Sequence, residues 1–130
     1  MQFNALGLAA ICAMSFALPA WAHHSHSNYA VSEFTRLEGT VKEVHWLNPH
    51  SWVYLEVKDD KGQVAQWALE AAGPGAITSN GVKREDVKLG DTIKVRCHRL
   101  RDGSNGCLLG FVTPTHGDVA RGHGVEREWD

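Results

Sequence analysis

The chain has 130 residues, a formal charge of −2 and 43% hydrophobic residues, which suits one small domain. The near-neutral charge argues against a nucleic-acid-binding protein, because phosphate binding needs a clustered basic excess. After residue 22 no apolar run is long enough to span a bilayer.

Residues 1–22 have the features of a secretory signal peptide. They include no Lys, Arg, Asp, Glu or His, and the stretch 5–18 is apolar. A proline then ends that stretch, and the small-x-small sequence Ala20-Trp21-Ala22 offers a cleavage site. The lack of a basic residue before the apolar stretch is atypical and leaves an uncleaved anchor as the alternative. We expect export, most simply to a bacterial periplasm, and no membrane insertion after processing.

The segment 23–34 is rich in histidine and begins His23-His24-Ser25-His26. Cleavage after Ala22 would make His23 the terminal residue, whose amine and ring nitrogens can chelate one metal ion. His24 can add a ring nitrogen, and nitrogen-rich tetragonal sites suit copper(II) best, ahead of zinc or nickel. Cleavage after Ala20 would place His23 third from the amine, which is another chelating arrangement. The alternative is a solvated histidine cluster that holds no metal.

The segment 35–114 is predicted to fold as an all-β domain. β-Branched and alternating runs predict strands over 37–46, 51–58, 63–70, 92–100 and 107–113, and a short helix over 76–80. This order predicts a small five-stranded OB-like Greek-key barrel with one short helix between strands 3 and 4. A small β-sandwich is the alternative. The Gly-, His- and charge-rich segment 115–130 is predicted to be a flexible tail.

Two cysteines, Cys97 and Cys107, remain after residue 22 and flank the turn-forming sequence Asp102-Gly103-Ser104-Asn105-Gly106. An even number of cysteines in an exported chain predicts a disulfide, here one that ties a single hairpin. The alternative is a pair of buried free thiols.

The predicted barrel carries further candidate ligands. His50 follows Asn48-Pro49 at a corner between two strands, where a proline-restricted backbone can hold an imidazole in place. Glu70 ends the third predicted strand and is a candidate fourth ligand or a group that orients a ligand. The alternatives are a turn histidine bonded to backbone and a plain charge at a strand end. His26 is an auxiliary candidate.

Several motifs recur in the order of a known family: His23-His24-Ser25, Trp46-Leu47-Asn48-Pro49-His50-Ser51-Trp52, Trp67-Ala68-Leu69-Glu70 and Leu89-Gly90-Asp91. The chain resembles a family of small exported bacterial proteins of unknown function. The resemblance implies an OB-type barrel and an exported location, but no activity. Members of that family commonly have Phe where this chain has His26, and they often lack the cysteine pair. The Gly/His-rich tail also departs from the family pattern.

The leading functional hypothesis is a periplasmic copper(II) chaperone or buffer whose partners are the metal ion and an acceptor protein. Its ligands would be His23, His24 and His50, with His26 or Glu70 as auxiliaries. The alternative is a binding module for a small ligand or a partner protein, with Trp52, Tyr54 and Trp67 as its ligand face. We do not expect an enzyme, because no nucleophile–base order, paired-carboxylate signature or phosphate-binding loop is present.

Overall fold

The computed structural model describes residues 26–130, so the signal-peptide prediction for 1–22 lies outside the described residues. The strands and the α-helix of the described part are β1 Thr35–His45, β2 Trp52–Lys58, β3 Val64–Glu70, α1 Pro74–Ser79, β4 Thr92–Arg99, β5 Gly106–Pro114 and β6 Arg127–Glu128. Short 3-10 turns occur at His26–Asn28, Arg84–Asp86 and Val119–Arg121. Within these residues no helix combines the length and the apolar character needed to cross a membrane.

The strands form one sheet that closes on itself. Its order is β3-β2-β1-β4-β5-β6, and parallel pairing of β3 with β5 joins the two sides into a five-stranded barrel. The helix α1 lies between β3 and β4 in the chain. The structure therefore confirms the predicted all-β barrel with one short helix, and the closure excludes the alternative of two packed sheets.

Every second side chain of the strands points inward, and these side chains fill the barrel interior. Val53 and Leu55 in β2 are fully buried, and they pair in register with Leu69 and Trp67 of β3. The intervening residues of these strands point outward. The inward faces of β2 and β3 therefore meet in the core.

The segment 115–130 differs from the predicted flexible tail, because it packs against the barrel. It forms the short strand β6 beside β5, and Trp129 is only 1% exposed. The Trp129 ring lies 5.3 Å from the ring of Trp46, centroid to centroid. Burial of a tryptophan removes a large apolar area from water, and this contribution outweighs the polar composition of the segment.

The predicted disulfide is present. Cys97 in β4 and Cys107 in β5 are bonded, with a Cα–Cα distance of 5.5 Å. Both residues are fully buried in the core. The bond ties together the two strands of the β4–β5 hairpin, whose loop carries Leu100 and Arg101.

Candidate metal centre

His50 lies on the connection between β1 and β2, just after the cis peptide bond between Asn48 and Pro49. The connection is packed against the chain that follows β3. A Cβ atom added at Gly73 would lie 2.8 Å from Asn48 Oδ1 and 3.1 Å from the Pro49 carbonyl oxygen. Ser51 N donates to the Ala72 carbonyl at 3.1 Å. The corner is therefore held against a backbone that approaches it too closely for any side chain at position 73.

The tautomer of His50 follows from its hydrogen bond. Nδ1 lies 3.3 Å from the carbonyl oxygen of Ala71, which can only accept, so Nδ1 carries the proton. The lone pair of the neutral ring is then on Nε2, which has no hydrogen-bond partner among the described residues. The side chain is 36% exposed. A histidine whose Nδ1–H bonds to a backbone carbonyl presents Nε2 in the manner common for metal ligands.

Glu70 lies next to the Nδ1 side of this imidazole. Its Oε1 lies 3.6 Å from His50 Nδ1, and the residue is only 7% exposed although alternation places it on the outer side of β3. Its other oxygen, Oε2, accepts a hydrogen bond from the hydroxyl of Tyr29 at 2.6 Å. The carboxylate is therefore hydrogen-bonded to the tyrosine and lies beside the histidine, whose Nδ1 bonds to Ala71.

Tyr29 is 5% exposed and lies within the short stretch 26–30, which we call the anchored segment. It forms an antiparallel bridge with Leu100 in the loop of the β4–β5 hairpin. Burial, together with the hydrogen bond and the negative charge of Glu70, raises the pKa of the Tyr29 hydroxyl far above its ordinary value. The hydroxyl therefore keeps its proton and serves as a donor to Glu70.

Three further hydrogen bonds fix the anchored segment on the hairpin. Ala30 N donates to the Arg99 carbonyl at 2.8 Å, and Arg101 N donates to the Asn28 carbonyl at 2.9 Å. The guanidinium of Arg101 adds a bond from Nε to the Tyr29 carbonyl at 3.1 Å. The backbone on both sides of Tyr29 is thus paired with β4 and its loop.

The structure brings two of the predicted ligands together, His50 and Glu70. His26 is exposed at the start of the anchored segment, where its carbonyl accepts from Tyr29 N at 3.2 Å. His23 and His24 lie outside the described residues. Within residues 26–130, no group of three or more His, Cys, Asp or Glu side chains is arranged to hold a metal ion.

The three aromatic residues predicted to form the ligand face of the alternative function lie on opposite sides of the sheet. Trp52 and Tyr54 are on the outer side of β2, where the Tyr54 ring lies 5.2 Å from that of His45. Trp67 is 7% exposed and belongs to the core, since it alternates with Leu69 on the inner side of β3. Trp67 therefore cannot share a face with the other two aromatic residues, and that part of the prediction is wrong.

Sequence reasoning missed Tyr29 and Arg101. The one signal for Tyr29 was an isolated aromatic residue in a polar stretch, a few residues before the first strand. Its partner Glu70 is 41 residues away, so no local pattern could indicate their contact. Arg101 belongs to a hairpin loop, where a basic residue is ordinarily solvated.

Residues 11–109 match the Family of unknown function (DUF6152). The chain belongs to this family. The match covers the corner at His50, Glu70 and the anchored segment, but it ends before Trp129. No curated protein and no solved structure matches the chain. Membership of DUF6152 thus gives a relationship without an activity.

Proposed function

We propose that this member of DUF6152 is an exported copper(II)-binding protein, a chaperone or buffer rather than an enzyme. His50 Nε2 would supply the ligand from the barrel, and His23 and His24 would supply the others once the signal peptide is removed. One observation carries the proposal: Tyr29, in the segment that follows the histidine cluster, is hydrogen-bonded to the carboxylate beside His50.

The contact between Tyr29 and Glu70 ties the segment that follows His23 and His24 in the sequence to the corner that carries His50. His24 precedes Tyr29 by five residues, a length that spans at most about 17 Å when fully extended. Because Tyr29 is itself fixed beside the corner, this length limits how far from Tyr29 the two histidines could lie. A short tether of this kind gives an effective concentration in the millimolar range. His26 is close enough in sequence to serve as an auxiliary ligand.

The available donors favour copper(II) over copper(I). Cys97 and Cys107 are joined in a buried disulfide, and the chain after residue 22 has no methionine. Thiolate and thioether donors, which copper(I) prefers, are therefore not offered by residues 26–130. Imidazole, amine and carboxylate donors remain. Zinc and nickel also accept such donors, but copper(II) binds them more tightly.

Glu70 is proposed to orient His50 instead of binding the metal. Its Oε2 is occupied by the Tyr29 hydroxyl, and its Oε1 faces Nδ1, the side of the ring opposite to the free Nε2. The Nδ1–H bond to the Ala71 carbonyl holds the ring, and the negative charge of Oε1 at 3.6 Å favours the same proton position on Nδ1. This assignment chooses between the two roles that the sequence left open.

The test is a copper(II) titration of the correctly processed protein. We expect His50→Ala to weaken binding at least ten-fold, and one extra residue before His23 to weaken it similarly by removing the amine from its place. His98→Ala is the matched control, because His98 is another partly exposed histidine whose Nδ1 lies 2.6 Å from the Glu33 carbonyl oxygen. Equal affinity in all four proteins would refute the proposal.

A second candidate function is a binding module for a small ligand or partner. The observation that favours it is the outward placement of Trp52 and Tyr54 beside the same corner. A ligand there would change tryptophan fluorescence in the presence of a chelator, and Trp52→Phe would remove the change. A fluorescence response that requires copper would instead favour the metal site.

A further inference from the structure

We infer that His116 and His123 form a pH-sensitive clasp, which holds the loop 115–124 closed while both rings are neutral and releases it in acid. The inference is independent of the proposed copper site. It concerns the connection between β5 and β6, where these two half-buried histidines have their ring centroids 6.2 Å apart.

Hydrogen bonds fix the tautomer of both rings. Gly117 N donates to His123 Nδ1 at 2.9 Å. Asp118 N donates to His116 Nδ1 at 3.1 Å. A backbone N–H can only donate, so the hydrogen of each neutral ring is on Nε2 and not on Nδ1. His116 Nε2 uses its hydrogen to donate to the Asp86 carbonyl at 3.0 Å.

A second proton would have to bind to Nδ1, which is the atom that accepts the backbone hydrogen bond. Protonation of either ring therefore breaks that bond, because two N–H groups would then face each other. Protonation of both rings would also place two positive charges at the 6.2 Å separation of the pair, where they repel. A histidine side chain ordinarily changes charge between pH 5 and 8, so mild acid is enough to drive the release.

The charged groups near the pair favour release of the protonated rings. Those on the loop and on the stretch 84–91, against which the loop packs, are Arg84, Glu85, Asp86, Lys88, Asp91, Asp118 and Arg121. Arg121 is paired with Asp91 and donates from Nε to the Glu85 carbonyl at 2.7 Å. A positively charged ring would be drawn toward a carboxylate of this set and away from the backbone N–H groups.

The opening is confined to the loop, because the chain at either end of it is held by other contacts. Gly124 N donates to the Pro114 carbonyl at 2.8 Å, which closes the base of the loop. Trp129 is buried, and its N donates to a carbonyl of β5 at 2.8 Å. Acid should therefore free Gly117 N and Asp118 N while Trp129 N stays protected.

The experiment measures amide exchange of the metal-free protein at about pH 8 and about pH 5, relative to an unstructured chain at the same pH. Gly117 N and Asp118 N are expected to lose about ten-fold in protection in acid, as one lost hydrogen bond would give. Imidazole nitrogen NMR shifts should show both rings protonated on Nε2 alone at the higher pH and on both nitrogens at the lower.

His123→Asn is the decisive variant, because the asparagine Oδ1 can accept from Gly117 N in place of Nδ1 but takes up no proton in this range. Protection of Gly117 should then be the same at both pH values. His123→Ala removes the acceptor and should leave Gly117 N unprotected at both. His45→Asn is the matched control, since the His45 ring contacts the Glu43 carboxylate instead of a backbone N–H, and it should keep the pH dependence of the parent protein.

Four results would overturn the inference. Gly117 and Asp118 could be equally protected at both pH values, or either neutral ring could carry its hydrogen on Nδ1. The acid loss could persist in His123→Asn, which would place the proton uptake elsewhere. Trp129 N could lose protection together with the loop, which would indicate general unfolding in acid. If His123→Asn folds poorly, the unmodified protein still decides, because its ring and amide signals must change at the same pH.

Discussion

Adding one carbon at Gly73 tests whether the corner that carries His50 is held in place by its close packing against this glycine. A Cβ at this residue would lie 2.8 Å from Asn48 Oδ1 and 3.1 Å from the Pro49 carbonyl oxygen, both closer than ordinary contact. The Pro49 oxygen is backbone and cannot move alone, so the whole corner must shift. We expect Gly73→Ala to reduce the free energy of unfolding by about 1–3 kcal/mol, the usual cost of overpacking. Urea denaturation measures this change, and the imidazole NMR signals of His50 report the displacement.

Gly75 supplies the matched control two residues later. A Cβ there meets no atom within 4 Å, and the residue lies in α1, where alanine is favoured over glycine by about 1 kcal/mol. Gly75→Ala should therefore leave stability unchanged or raised, with the His50 signals in place. The reasoning would be refuted if Gly73→Ala were as stable as Gly75→Ala and left those signals unmoved.

Three further predictions concern stability. Because the pKa of Tyr29 is raised in the folded state, its contribution is present below about pH 10, where the free hydroxyl ionises, and is lost as the pH rises above it. Tyr29→Phe should flatten this alkaline decline in urea titrations of the metal-free protein, and an unchanged decline would contradict the assignment. Replacing both Cys97 and Cys107 by alanine should cost about 2–3 kcal/mol by freeing the unfolded chain, and two reactive thiols in the untreated protein would show that the bridge is absent. Trp129→Ala should lower the free energy of unfolding by about 3–5 kcal/mol, measured by thermal or urea unfolding. Val119→Ala, at an exposed site, should change it by less than about 0.5 kcal/mol. Equal effects of the two substitutions would mean that the segment 115–130 does not complete the core.

The barrel strands were predictable from sequence because each has a clear local signal. The third strand, predicted over 63–70, is β3 at Val64–Glu70, where Trp67 and Leu69 alternate with less buried or polar residues. The packing of the segment after Pro114 was not predictable, because glycines, histidines and charged residues dominate its composition. A single residue, Trp129, decides its packing, and period-based reasoning gives little weight to one side chain.

The candidate site was likewise only partly predictable from the sequence. His50 and Glu70 could each be named from its place beside a proline corner or at a strand end. Their contact could not, because it depends on how β2 and β3 pair at their ends. The role of Tyr29 depends on a hydrogen bond that joins the segment before β1 to the end of β3. Such long-range contacts follow from the closed barrel and have no signature in either stretch of sequence.

The parallel seam between β3 and β5 comprises only three residue pairs, from Ala68 to Glu70 on the β3 side. Fewer ladder bonds join this seam than any other in the barrel, so local opening should begin there and expose its amides to exchange first. Glu70, at the end of the seam, is also the residue that Tyr29 holds. A ligand bound at the corner would therefore also slow the local opening of the barrel, and its binding would be measurable as slower amide exchange along this seam.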